Sequence, residues 1–153
     1  MVYDWQILAV GGLKNKFFAG AAAEYEKRLK PFARLRVTEI KPTAFGAADK
    51  KRVKERETEK IDSILKKEEK GRVFILDAEG DKLTSEDFAK LIDKTSGAIF
   101  VVGGSLGFSE NFKKQYRRIS LTALTMPHEL ARVVLLEQLY RAAAKLRGKE
   151  YDY

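Results

Sequence analysis

The sequence predicts an α/β domain with a mostly parallel sheet flanked by helices. Three observations carry that reading. Short apolar runs alternate five times with longer segments of helical periodicity. Runs such as Ile7-Leu-Ala-Val10 and Ile99-Phe-Val-Val102 are apolar at every position, as in strands covered on both faces. Glycine or aspartate follows several of these runs, where a strand must turn into a loop.

Gln6 to Val10 reads as the first strand, stopped by Gly11-Gly12. Phe17, Phe18, Ala21, Tyr25 and Leu29 recur at helical spacing over 14–30, and Pro31 ends that helix. Arg36 to Ile40 reads as a second strand, and 41–48, with Pro42 and Gly46, as a loop. The segment 49–70 predicts an exposed helix with a thin apolar stripe of Val53, Ile61, Ile64 and Leu65, and Gly71 as its C-terminal cap. Val73 to Leu76 is the third strand, ended by Asp77 and Gly80. Thr84-Ser-Glu-Asp87 has the form of a capping box opening a helix to Lys94. Ala98 to Val102 is the most apolar strand, Ser109 caps a short helix to about Arg117, and Ile119 to Leu124 is the fifth strand. Pro127 then opens a long helix to about Leu146. No repeat or boundary divides the chain, so residues 1–153 read as a single domain.

Composition narrows the chemistry. The 153 residues contain no Cys and one His, so thiolate chemistry, disulfides and multi-histidine metal sites are excluded and no metal is expected. No run approaches the ~20 apolar residues of a membrane span, and the N-terminus lacks the form of a signal peptide, so the expected location is cytoplasmic. A net charge of +8 is the balance of a protein that meets a polyanion.

In parallel α/β sheets ligands bind beyond the carboxyl ends of the strands. Three such ends carry suitable residues: Leu76-Asp-Ala-Glu-Gly80, Gly103-Gly-Ser-Leu-Gly107 and Leu124-Thr-Met-Pro-His128. The second allows close approach of a ligand to bare backbone. It lacks the spacing of a dinucleotide fingerprint and of a P-loop. Met126 precedes a proline and is pushed out of helical geometry, which leaves its backbone polar groups for a ligand. The last helix is apolar around most of its circumference, with one polar stripe of Glu137, Arg141 and Lys145, so a homodimer interface is expected along it.

These residues together make a pattern. Phe100-Val-Val-Gly-Gly-Ser-Leu-Gly107, Ser120-Leu-Thr-Ala-Leu-Thr-Met-Pro-His128 and Arg132-Val-Val-Leu-Leu-Glu-Gln-Leu-Tyr-Arg141 resemble the RlmH family of SPOUT-class methyltransferases, and Leu8-Ala-Val-Gly11 and Glu24-Tyr-Glu-Lys-Arg28 fit it as well. The resemblance spans essentially the whole chain. It implies a SPOUT-type fold with a C-terminal trefoil knot, a homodimer, and S-adenosyl-L-methionine as cofactor. The cofactor positions it implies are Leu76, Gly104, Thr122, Ala123, Leu124, Thr125, Met126 and Pro127. The implied reaction is methylation of N3 of a pseudouridine in the helix 69 loop of 23S rRNA on assembled ribosomes.

One departure stands out. The family usually ends in Tyr-His and a basic residue, near the cofactor pocket, whereas this chain ends Lys149-Glu-Tyr-Asp-Tyr153, with Asp152 in place of the histidine. N3 of pseudouridine must lose a proton, which makes His128 and Asp152 candidate bases and Tyr151 a candidate for orienting the base ring. Arg132 and Arg141 are the expected RNA contacts at the pocket mouth. Two other readings remain at this stage: a SPOUT methyltransferase with another RNA target, and a non-catalytic RNA-binding module carried by the basic helix at 49–70.

Overall fold

The computed structural model describes residues 2–44, 46 and 49–151. The strands are β1 (Tyr3–Val10), β2 (Ala33–Ile40), β3 (Val73–Lys82), β4 (Ile99–Val102) and β5 (Arg117–Ser120). The helices are α1 (Lys16–Leu29), α2 (Lys50–Leu65), α3 (Ser85–Lys94), α4 (Glu110–Lys113) and α5 (His128–Leu146). The strands form one sheet in the order β2-β1-β4-β3-β5, and every pairing is parallel.

Side-chain alternation divides the core into two layers. Trp5, Ile7 and Ala9 of β1, Phe74 of β3 and Phe100 and Val102 of β4 join one cluster with Ala22 and Leu29 of α1, Phe88 and Ile92 of α3, and Leu135, Leu136 and Leu139 of α5. Leu8, Val10, Val73, Ile75, Ile99 and Val101 face the other way, against Ile61 and Leu65 of α2 and Phe112 of α4. The unbroken apolar runs follow from this double covering.

Thr84 caps α3 as the spacing predicts, but without the reciprocal backbone bond of a capping box: the Asp87 N–H donates to Thr84 Oγ1 at 3.0 Å, and that hydroxyl, in place of the Thr84 N–H, donates to Asp87 Oδ2 at 2.8 Å. Elsewhere the boundaries differ from the sequence reading. α2 stops at Leu65, and Gly71 lies in a 3₁₀ turn at Lys70–Arg72 instead of capping the helix. α4 is a single turn ending at Lys113, short of Arg117.

β3 runs on to Lys82, past Asp77 and Gly80, because a bulge between Leu76 and Asp81 lets both ends of the strand pair with β5. A Cβ on Gly80 would stand 2.7 Å from the Arg118 carbonyl carbon, so glycine is what allows the bulged strand to lie against its neighbour. β5 ends at Ser120, four residues before the sequence reading places its end. The Ser120 hydroxyl donates to the Thr122 carbonyl at 2.8 Å and the Leu124 N–H donates to Thr122 Oγ1 at 3.2 Å. These local bonds turn the backbone out of the ladder.

Much of the apolar circumference of α5 is covered within the chain. Leu135, Leu136, Leu139, Ala142, Ala143 and Ala144 are buried, while Leu130, Val133, Val134 and Tyr140 are half-buried. Covering by α1, α3 and the sheet therefore accounts for most of the apolar surface that the sequence reading assigned to a partner chain.

Candidate active site

Three segments beyond the carboxyl ends of the parallel strands meet around one cleft of about 800 Å³. They are 76–78 after the first half of β3, 103–108 after β4, and 121–128 between β5 and α5, apart from Ala123. The size is that of a site for a nucleoside-sized ligand. Leu76, Gly104, Thr122, Leu124, Thr125, Met126 and Pro127 all line it, as the resemblance implies. Ala123 belongs to the same segment but is exposed and does not line the cleft.

Bare backbone forms one wall. A Cβ on Gly104 would stand 3.1 Å from both Glu57 Oε1 and Val10 Cγ1, and a Cβ on Gly103 would press into the Phe108 ring at 2.9 Å. Gly107 closes the loop with a φ of +73°, and its N–H donates to the Gly104 carbonyl at 3.1 Å. The opposite wall is the segment after β5. Among the described residues, the backbone N–H and C=O groups of Thr125 and Met126 have no hydrogen-bond partner within the chain. Unpaired peptide groups beside the apolar side chains of Leu76, Val102, Met126 and Ala131 suit a flat heteroaromatic ring with polar edges. The residues present thus fit an adenosyl group.

His128 lines the cleft at the first residue of α5. Its Nε2 would lie 3.6 Å from a Cβ on Gly11, whose φ of +89° belongs to the left-handed region. One turn further along α5, Arg132 is 4% exposed. Its Nη2 donates to the Gly11 carbonyl at 2.7 Å and to Glu39 Oε2 at 3.1 Å. Within this chain Arg132 is turned inward, away from the pocket mouth where the sequence reading expects it: its buried guanidinium, held by a backbone carbonyl and a carboxylate, positions the end of β1 under His128. Burial pushes the Glu26 carboxyl above its ordinary range, an effect opposed by the charge of Arg132 and reinforced by that of Glu39.

Arg141 is half-buried and also engaged. It pairs with Glu137 at 2.6 Å, donates to the Tyr151 carbonyl at 3.3 Å and lies over the Tyr151 ring at 4.9 Å. Tyr151 packs edge-on against Tyr140 at 4.7 Å. Burial, then its hydrogen bond with Tyr25, pushes the Tyr151 phenol up to about 12. Within its own chain the phenol is held by packing and hydrogen bonding. Tyr140 stands twelve residues beyond His128, which separates Tyr151 from the cleft of its own chain by about 18 Å along α5. Asp152, the remaining candidate base, lies outside the described residues.

Sequence reasoning missed Lys113, which lines the cleft together with Asp77 of the first strand end. Asp77 accepts from Arg118 at 3.3 Å and pairs with Lys113 at 3.8 Å. Among the described residues no group of His, Asp and Glu is arranged to hold a metal, and no helix is long and apolar enough to cross a membrane.

A parallel sheet with a glycine-walled cleft beyond its strand ends is the arrangement in which α/β proteins hold ligands, and the family comparison makes the class definite. Residues 3–152 match the family described as "Predicted SPOUT methyltransferase", and the chain belongs to that family. It is 42% identical to the Ribosomal RNA large subunit methyltransferase H of Lactobacillus helveticus, over 95% of this chain and 97% of that one. The proteins of the same name from Desulfitobacterium hafniense and Listeria monocytogenes are 39% and 40% identical over 95% of this chain. Identity of that order over nearly the full length makes this RlmH-type methyltransferase group its particular relatives. A solved probable rRNA-methyltransferase from Porphyromonas gingivalis shares the fold, with a TM-score of 0.55 and 15% identity over 95% of this chain and 71% of that one.

Proposed function

We propose that this methyltransferase uses S-adenosyl-L-methionine to methylate N3 of a pseudouridine in the helix 69 loop of 23S rRNA, on assembled ribosomes in the cytoplasm. The observation that carries the reading is the meeting of 76–78, 103–108 and 121–128 around one cleft, in a chain whose relatives are named as large-subunit rRNA methyltransferases.

Bound in this cleft, the donor would supply an electrophilic methyl on a sulfonium sulfur for transfer to N3. The chain's own residues have three tasks. Gly103, Gly104 and Gly107 bring bare backbone to the cleft, and the peptide groups of Thr125 and Met126 orient the ligand. Leu76, Val102 and Met126 exclude water from the reacting atoms. His128, at the cleft wall, takes the N3 proton. A trefoil knot in which the segments around 103–108 and 121–128 are wound together is in keeping with their sharing one cleft.

The active form in this reading is a homodimer. Tyr151 lies at the far end of α5 from the cleft of its own chain, so a second copy is what brings a tail to a cleft. The half-buried residues Leu130, Val133 and Val134 of α5 supply apolar surface for that contact.

Transfer of labelled methyl to 70S ribosomes, followed by nucleoside analysis of the rRNA, tests the reading. N3-methylpseudouridine in the helix 69 fragment is the expected product. A methylated nucleoside elsewhere would assign a different RNA target, and cofactor binding without transfer to any RNA would remove the enzymatic reading.

A further inference from the structure

The cations around the cleft are neutralised within the chain. Lys113 pairs with Asp77 and Glu110, Arg118 with Asp77 and Arg132 with Glu39. A polyanionic substrate therefore has to be met by other charges.

One surface offers them. Arg52, Arg56 and Lys60 stand at i, i+4 and i+8 as an exposed row on α2 that flanks the buried stripe of Val53, Glu57, Ile61 and Leu65. All three are exposed, as is Lys41 on the neighbouring segment. Lys41, Pro42, Thr43, Arg56, Glu59, Lys60 and Ser63 line a groove of about 510 Å³. The Lys60 ammonium donates to the Lys41 carbonyl at 3.2 Å and to Thr43 Oγ1 at 3.3 Å, which fixes the loop beside the helix. Glu59 is the acid that lines this groove. Among the described residues, none of Lys41, Arg52, Arg56 and Lys60 makes an ion pair.

The first turn of α2 adds to the field. Lys50, Lys51 and Arg52 open the helix with no acid among them, although the positive end of the helix dipole disfavours cations there. Successive cations of the row rise about 6 Å along the axis, close to the spacing of phosphates along an RNA strand.

The row is also tied to the cleft. Glu57, on the buried side of α2, accepts from the Thr43 N–H at 3.0 Å, and its Oε1 stands where a Cβ on Gly104 would meet it at 3.1 Å. Thr58 Oγ1 accepts from the Ser109 N–H at 3.2 Å. The cation row and the glycine wall are thus separated by about one helix diameter, roughly 10–12 Å.

We propose that Arg52, Arg56 and Lys60 of α2, together with Lys41, form the track on which the phosphate backbone of the substrate RNA lies while the target base enters the cleft. This inference rests on the rRNA-methyltransferase reading above. It replaces Arg132 and Arg141 as the principal RNA contacts and assigns α2 a substrate-binding part within an enzyme.

The test is equilibrium binding of the full chain to a 23S rRNA fragment containing helix 69, and to 70S ribosomes, between 50 and 200 mM salt. Each phosphate contact contributes about 0.7–0.9 to the slope of log K against log salt, so the double variant R52Q/R56Q is expected to lower that slope by about 1.4–1.8. The matched variant K90Q/K94Q on α3 keeps the wild-type slope. R52Q/R56Q keeps its affinity for S-adenosyl-L-methionine and its methylation rate at saturating ribosome, and shows a raised KM for ribosomes. A wild-type slope in R52Q/R56Q overturns the proposal. So does a loss confined to 70S particles with the naked fragment unaffected, which would assign this face to a ribosomal protein. A wild-type chain that methylates ribosomes while R52Q/R56Q binds normally removes the cation track alone; a wild-type chain that neither binds nor methylates rRNA removes the underlying reading as well.

Discussion

Arg132 of α5 holds the carbonyl of Gly11 at 2.7 Å, and this bond joins the start of the last helix to the end of the first strand across 121 residues of chain. Gly11 needs its left-handed backbone to present that carbonyl, and His128 packs one turn before Arg132, over the same glycine. The bond thus fixes the end of β1 beneath His128, the candidate base.

Replacing Arg132 by Met keeps most of the side-chain volume and removes the donor. A buried carbonyl left without its partner costs about 1–3 kcal/mol. The urea midpoint is expected to fall accordingly, and affinity for S-adenosyl-L-methionine to fall with it as Gly11 shifts. An Arg132→Met protein with wild-type stability and weakened RNA binding would return this residue to the RNA-contact role.

Gly104→Ala adds a methyl that meets Glu57 and Val10 at 3.1 Å, so those neighbours must yield by a few tenths of an ångström. Gly104→Val adds two further carbons on the side of Glu57 and Val10, behind the cleft wall, and so displaces that wall. Calorimetry is expected to show reduced cofactor affinity in the alanine variant and none in the valine variant, with circular dichroism reporting a retained fold for alanine. Unchanged affinity in a folded valine variant would place the cofactor elsewhere.

Leu139 is fully buried between the sheet and its neighbouring helices. Leu139→Ala is expected to lose about 2–5 kcal/mol of stability. Leu139→Glu places a carboxylate without a partner in that core and is expected to abolish cooperative unfolding instead of splitting a dimer. A folded, monomeric Leu139→Glu protein in light scattering would contradict the packing described above.

Glu26 makes stability depend on pH in a definite direction. Its carboxyl titrates higher in the folded chain than in the unfolded one, chiefly through burial. Between those two values the folded state binds more protons, so this group's contribution to stability falls as pH rises from about 4.5 through the raised folded value. Glu26→Gln removes the cost of a buried carboxylate. The variant is expected to melt higher than wild type at neutral pH, with the difference closing toward pH 4. A difference of the same size at both pH values would assign the effect to packing.

The fold class and most elements were legible in the sequence because their signals are local. Unbroken apolar runs mark strands covered on both faces, and Thr84 followed by Asp87 marks a helix start through bonds made within four residues. The three loops of the cleft were legible for the same reason: glycines after β4 and the Met126-Pro127 pair carry their backbone preferences with them. Ends set by contacts between distant residues were not. β3 continues past Asp77 because β5 lies where a glycine at position 80 can meet it, and no local rule contains the position of β5.

Side-chain role depends still more on tertiary placement. By itself the sequence determined that an arginine at 132 lies one turn from His128, and that the basic segment at 49–70 is helical over most of its length. Only the fold decided that Arg132 turns inward to Gly11 and Glu39, while Arg52 and Arg56 turn outward without carboxylate partners. The reason is that a charge takes its function from its desolvation and its nearest counter-charges, and both are set by elements that lie tens of residues away in the chain.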